Sequence, residues 1–281
     1  MIFVSTAFNS GETASRVVAN LFENGFSNIE LSGGAYSATL INELLEFKEK
    51  CCLQVHNYFP PPSEPFVFNL GSLDIDIAKA SILHAQKAIC LAVSLGRPIF
   101  SFHAGYLFDP KPSELGRRIS KRKLYDLEES KFRFIDRVND LSSFAAKEGA
   151  SLLIENNVLS AENYVEFECN PLLMTSLADT LSIMKNTDER VNLLIDVGHL
   201  KVSANTLGFD PVDFLEKCDS WINAYHLNDN DGLSDSNNLV RNDSWFWPYL
   251  KSGLDYYSLE IRGGLIILKQ QLKLAKEYID S

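Results

Sequence analysis

Ser151-Leu-Leu-Ile-Glu155, Val191-Asn-Leu-Leu-Ile-Asp196, Trp221-Ile-Asn-Ala-Tyr-His226 and Tyr257-Ser-Leu-Glu260 share one design: a short apolar run closed by an acid or a histidine. Their last residues fall 41, 30 and 34 positions apart. Runs this short read as buried strands rather than helices. Strands recurring at that interval are parallel and joined by crossover helices. Further runs at 2–7, 28–31, 52–56 and 98–103 bring the strand count to eight. Between them lie amphipathic stretches at 13–24, 76–95, 128–148 and 266–279. The first presents Val17, Val18, Leu21 and Phe22 on one face, and the second Ile77, Ala80, Ile82 and Ala85. The third presents Phe132, Phe134, Ile135, Val138 and Phe144, and the last Ile267, Leu272, Leu274 and Ala275. Apolar residues at three- and four-residue steps mark helices that cover a sheet. Gly25, Gly96 and Gly149 stop helices just before the next strand. Eight such units predict an α/β protein, a (β/α)8 TIM barrel, as one domain over residues 1–281. In that fold chemistry belongs at the C-terminal ends of the strands.

Composition narrows the function. A net charge of −11 argues against nucleic acid as partner, since phosphate binding needs a basic surface. No charge-free apolar run reaches the roughly 20 residues that a membrane helix needs, so no membrane is expected. Met1-Ile-Phe-Val-Ser5 lacks the basic start and apolar stretch of an export signal. The five cysteines, Cys51, Cys52, Cys90, Cys169 and Cys218, form no Cys-x-x-Cys pair and are odd in number. They read as reduced thiols of a cytoplasmic protein. Homo-oligomerisation stays open.

Glu155, Asp196, His226 and Glu260 end consecutive strands, so a barrel brings them to one rim. Three carboxylates crowded there resist joint ionisation, and a divalent cation resolves the conflict. Three carboxylates and one imidazole suit one ion of Mn²⁺, Co²⁺, Mg²⁺ or Zn²⁺. Absence of thiolates argues against a closed structural zinc site. Each acid taken alone could instead cap the following helix. His56, His103, His199 and His226 all lie at or just after strand ends. Such histidines ligate a metal, orient a ligand or bind a substrate hydroxyl. His84 lies mid-helix between Leu83 and Ala85 and reads as a packing or surface residue.

Asn157 follows Glu155 by two positions, and Asp229 stands in the polar turn His226-Leu-Asn-Asp-Asn-Asp-Gly232. Arg262 precedes Gly263-Gly264. These three join His56, His103 and His199 as substrate-binding candidates. Gly33-Gly34 and Gly263-Gly264 offer backbone amides to an anion, although turn geometry explains them as well. The basic run 117–123 reads as a solvated segment. Tyr58, Phe59 and Trp245 are candidate pocket walls.

These pieces resemble the xylose isomerase-like superfamily of sugar phosphate isomerases and epimerases. The matching stretches are Asn28-Ile-Glu-Leu-Ser32, Ser101-Phe-His-Ala-Gly105, Leu153-Ile-Glu-Asn156, Asp196-Val-Gly-His199, His226 to Gly232, and Leu259-Glu260. The resemblance implies that Glu155, Asp196, His226 and Glu260 bind one divalent metal. In the ketose 3-epimerase branch it implies that the two glutamates exchange the substrate proton and that His199 contacts substrate. That branch has an arginine six residues beyond the metal histidine, where Gly232 stands here. Apurinic endonucleases of the superfamily hold three metals, for which His56, His103, Asp196, His199 and Asp229 would supply parts. Their Asp-x-His pair is replaced by Asp235-Ser-Asn237.

The expected function is a metal-dependent isomerase or epimerase, acting on a sugar, sugar phosphate or related polyhydroxy carbonyl compound by proton abstraction through an enediolate. Glu155 and Glu260 are the expected acid and base. A lyase or dehydratase using the same first step, a phosphodiesterase of the endonuclease kind, and a sugar-binding barrel without turnover remain alternatives.

Overall fold

The strands β1 (Ile2–Ser5), β2 (Asn28–Leu31), β3 (Cys52–His56), β4 (Ile99–His103), β5 (Ser151–Glu155), β6 (Val191–Asp196), β7 (Ile222–Leu227) and β8 (Tyr256–Leu259) pair in chain order. All pairs are parallel, and β8 returns to β1 to close the barrel. The computed structural model describes residues 1–7, 11–114, 118–254 and 256–280. The helices are α1 (Ala14–Glu23), α2 (Leu40–Leu45), α3 (Ile75–Ser94), α4 (Leu127–Glu148), α5 (Ala161–Phe167), α6 (Leu177–Met184), α7 (Val197–Leu207), α8 (Pro211–Cys218) and α9 (Leu265–Ile279). Every predicted strand is present with ends shifted by at most two residues. None of the described helices is long and apolar enough to cross a membrane.

Alternation along each strand divides the core in two. Outward-facing Ile29, Leu31, Val55, Phe100, Phe102, Ile154 and Ile195 pack under the helices. Inward-facing Phe3, Leu153, Leu194, Ala224 and Tyr256 fill the lower lumen. Above that apolar floor the lumen turns polar, with Glu30, Gln54, Ser101, Glu155, Asp196, His226 and Ser258 all fully buried. Side chains two apart on a strand share a face, so Leu153 and Glu155 belong to successive layers of one lumen.

Register sets which residues meet at the rim. His103 lies level with Glu155, and Asp196 level with His226. The second pairing depends on a one-residue slip: Leu193 pairs with Ile222 but Leu194 with Ala224, leaving Asn223 over. Without the slip Asp196 would stand opposite Tyr225, which packs in the outer core. A one-residue change of register moves a side chain to the other face, so this irregularity brings His226 into the lumen beside Asp196.

The helices begin where local chemistry allows. Asp74, Asp126, Ser176 and Asp210 accept hydrogen bonds from the first free amides of α3, α4, α6 and α8. The predicted inward face of α3 requires correction. Ala78, Ser81, Ala85, Ala88, Ile89 and Ala92 are buried, whereas Ile77, Ala80 and Ile82 are only half-buried. This helix is apolar on most sides, and its small residues allow close approach to β3 and β4, so periodicity alone could not orient it. Phe132 and Phe22, expected inside, lie exposed at 59% and 38%. His84 is buried, with its ring edge-on to Phe66 and Phe68. Burial lowers its pKa to about 4, so it packs as a neutral ring.

Candidate metal centre

Glu155 is the centre of the site. It ends β5 with no exposed surface. Its Oε2 lies 3.3 Å from His56 Nε2 and 3.1 Å from His103 Nδ1. Its Oε1 lies 3.2 Å from His226 Nδ1 and 3.6 Å from His199 Nδ1. Neither oxygen is in a well-directed hydrogen bond, and His226 Nδ1 is likewise unpartnered. Buried polar atoms are normally satisfied, so this cluster of unsatisfied ligand-type atoms fits a cation between them.

The surrounding donors converge. One atom each from Glu155, Asp196, His226 and Glu260 can be chosen so that all lie within 4.8 Å of one another. Glu260 Oε2 is 2.8 Å from His226 Nδ1, and Asp196 Oδ2 is 3.9 Å from it. His56, His103 and Glu155 form a second set by the same measure, and Glu30, His56 and His226 a third.

Electrostatics in the ion-free protein show the strain of this crowding. Burial raises the Glu155 carboxyl up to about 7 against the pull of His226. Burial likewise lifts Asp196 to about 6. Burial and the neighbouring imidazole of His226 hold His56 well below the usual histidine range, and burial with His56 and His199 does the same for His103. For His199 burial is outweighed by Asp196, Asp235 and Glu155, and for His226 by Glu30, Glu155 and Glu260, so both are raised. A divalent ion would favour the charged carboxylates and neutral imidazoles together.

Asp196 is held in place by its neighbours. Its Oδ1 accepts the His199 amide and caps α7, while its Oδ2 accepts Asn228 Nδ2 at 2.8 Å. Helix capping and a place in the cluster therefore coexist in one residue. Asn156 donates Nδ2 to the Asp196 carbonyl and accepts the Asp196 amide. Gly198 makes room for this arrangement: a Cβ there would stand 1.8 Å from Asn228 Oδ1. His199 donates Nδ1–H to the Asn156 carbonyl at 3.0 Å, which leaves Nε2 facing Asp235 at 3.4 Å.

Above the cluster opens a cavity of about 320 Å³. His103, His199, Glu260, Asp235, Tyr58 and Tyr106 are among its lining residues. The volume lies at the small end of ligand sites. The cavity and the acid–histidine cluster stand together at the C-terminal mouth of a closed barrel.

A family model described as xylose isomerase-like TIM barrel matches residues 18–258. The chain belongs to the xylose isomerase-like TIM-barrel family. No curated protein matches it by sequence. Among solved structures it is similar to a D-tagatose 3-epimerase-like protein, with 20% identity, TM-score 0.74, and coverage of 99% of this chain and 97% of that one. It is similar to D-psicose 3-epimerase from Clostridium cellulolyticum at 17% identity and TM-score 0.62, covering 100% of this chain and 91% of that one. It is also similar to endonuclease IV from Thermus thermophilus at 14% identity and TM-score 0.57, covering 99% and 98%. At these identities the structural likeness carries the fold alone.

Within this family barrel the sequence candidates separate. Glu155, Asp196, His226, Glu260, His56, His103 and His199 come together. Asp229 points elsewhere: its Oδ1 accepts Lys201 Nζ at 2.7 Å and its Oδ2 accepts Ser244 Oγ at 2.7 Å. It clamps the loop after β7 onto α7. Arg262 lies exposed outside the cavity, its amide bonded to the Asn237 carbonyl. Asn157 reaches the cavity wall, yet its Nδ2 donates to the carbonyls of Ala104, Gly105 and Leu173 and so ties loops together. Of the expected aromatic walls only Tyr58 lines the cavity. Phe59 is fully buried, and Trp245 packs against the core.

Arg118, Lys121 and Arg122 of the basic run pair with Glu166, Glu168 and Glu114. Arg117 lies outside the described residues. Sequence reasoning missed Glu30, whose Oε2 stands 2.9 Å from His226 Nε2. The signal was present: an acid between Ile29 and Leu31, at the inward position of a strand. It gave Asn228 no role beyond the polar turn and read Asp235 only as part of the departure from the endonuclease pair; the roles of both depend on loop geometry.

Proposed function

We propose that the protein is a divalent-metal-dependent isomerase or epimerase of a sugar or related polyhydroxy carbonyl compound. The observation that carries this reading is the Glu155 carboxylate, fully buried and without a well-directed hydrogen bond, facing Asp196, His226 and Glu260. Those four would hold the ion. When bound, the ion would polarise the substrate carbonyl and stabilise negative charge developing on its oxygen. Glu155 or Glu260 takes the proton from the carbon beside the carbonyl, and the electron pair left behind moves into the enediolate. The other glutamate returns a proton to carbon. His103 and His199, on the cavity wall, hold substrate hydroxyls, and Tyr58 and Tyr106 narrow the access of water. The epimerases of known structure with the same fold support this choice of chemistry.

A second reading is phosphoester hydrolysis at a two-ion centre. It is favoured by the His56–His103–Glu155 set, which shares Glu155 with the first. Against it stand Asn237 at the position of a third-ion ligand and the pairing of Arg118, Lys121 and Arg122 with Glu166, Glu168 and Glu114. Elemental analysis after loading with Mn²⁺, Co²⁺, Mg²⁺ or Zn²⁺ separates the two. One ion per chain and a raised melting temperature are expected, because binding to the folded state alone stabilises it. Two tightly held ions favour hydrolysis, and no ion removes both readings.

A further inference from the structure

The geometry points to Glu30 as the positioning residue of the metal centre: a buried carboxylate that makes His226 present Nδ1, unprotonated, to the ion. The inference rests on the metal reading above and goes beyond its ligand set.

Glu30 sits on β2 with no exposed surface, below the rim where the other acids gather. Both of its oxygens are engaged. Oε2 lies 2.9 Å from His226 Nε2, and Oε1 accepts Ser32 Oγ at 3.0 Å. Ser32 Oγ in turn bonds Ser5 Oγ at 2.9 Å on the adjacent strand. The carboxylate is thus held from β1 and β2 while it reaches across the lumen to β7.

A carboxylate can only accept, so the Nε2–H of His226 must be the donor. In neutral imidazole the lone pair then belongs to Nδ1. That atom faces Glu260 at 2.8 Å, Glu155 at 3.2 Å and Asp196 at 3.9 Å. Tyr256 Oη, 3.5 Å from Nε2, is a longer contact on the same side. His56 does not compete for Glu30, because its Nδ1 bonds Ser101 Oγ and its Nε2 faces Glu155. A buried charge is costly without compensation, and the His226 imidazole supplies part of it here. Carboxylate partners of this kind fix the tautomer and ring orientation of metal-ligating histidines and raise their basicity.

The test is the affinity of the folded protein for Co²⁺ by calorimetry, with the visible absorption of the bound ion as a second readout. Glu30→Gln keeps shape and removes charge. It is expected to weaken Co²⁺ binding about 10- to 100-fold, the usual effect of losing such a partner, and to alter the absorption bands. A role confined to structure would instead lower the melting temperature of the ion-free protein and leave affinity and spectrum unchanged. Should Glu30→Gln fail to fold, Ser32→Ala serves. It removes one anchor of the carboxylate and is expected to weaken binding about two- to ten-fold, the worth of one hydrogen bond. Affinity within two-fold of wild type in the folded Glu30→Gln protein, or unchanged affinity in Ser32→Ala, overturns the inference. Wild-type protein that binds no Co²⁺ instead overturns the metal reading, and this inference falls with it.

Discussion

At the scale of single residues, Glu155 carries most weight, because a fully buried carboxylate set among four imidazoles yet without a well-directed hydrogen bond fits a cation. Its titration gives a prediction. In the ion-free protein burial raises its pKa from 4.5 to about 7. The folded state therefore keeps a proton that the unfolded chain releases above about 4.5, and stability falls as pH rises through that window. Glu155→Gln, neutral at every pH, should lack this fall. Urea unfolding of both ion-free proteins at pH 5 and 7.5 is the check: wild type should lose stability relative to the variant. Parallel behaviour would mean that Glu155 is not held protonated. The raised His199 and His226 act in the same direction: their contribution is full below about 6.5 and is lost as pH rises from there, in wild type and variant alike, so it is the difference between the two proteins that reports Glu155. Most of the cluster was legible in the sequence because each member ends an apolar strand. Glu30 was readable from its place between Ile29 and Leu31 but was missed, because only strand ends drew notice. Asp229 misled because a turn acid near a site is indistinguishable by sequence from one paired to Lys201.

At the scale of elements, the turn from β6 into α7 does several jobs in four residues. Asp196 caps the helix and faces the cluster, Gly198 admits Asn228, and His199 reaches the cavity. Gly198→Ala places a Cβ 1.8 Å from Asn228 Oδ1 and 2.9 Å from Asn230 Nδ2. Both side chains are buried, so neither can simply swing into solvent. The expected cost is about 1–3 kcal/mol of stability, as for other overpacked sites, together with weaker metal binding as Asn228 leaves Asp196. Thermal melting and metal titration of the variant test this; wild-type values in both would show that Asn228 relocates freely. Strand positions were readable from composition because buried parallel strands are continuous apolar runs. The one-residue slip between β6 and β7 and the inward face of α3 were not, since both are set by packing between elements.

At the scale of the whole molecule, a closed barrel turns the inward residues of all eight strands into one lumen, and that is why residues 196 positions apart, Glu30 and His226, touch across it. A net charge of −11 over the whole chain disfavours a polyanionic partner. An abasic DNA duplex at physiological salt is therefore expected to remain uncut by the metal-loaded protein; efficient incision would promote the two-ion hydrolytic reading. The central claim is proton exchange at carbon by two glutamates around one ion. It is tested most directly by incubating the metal-loaded protein with a panel of ketoses in D₂O and following deuterium entry beside the carbonyl. The account predicts incorporation into at least one ketose. It predicts that chelation abolishes incorporation. It predicts that Glu260→Gln, folded and carrying its ion, slows incorporation by about 10²–10⁴, the usual worth of a catalytic base. Unchanged exchange in Glu260→Gln at full metal occupancy would contradict the two-glutamate scheme, and exchange that survives chelation would contradict the metal's part in it.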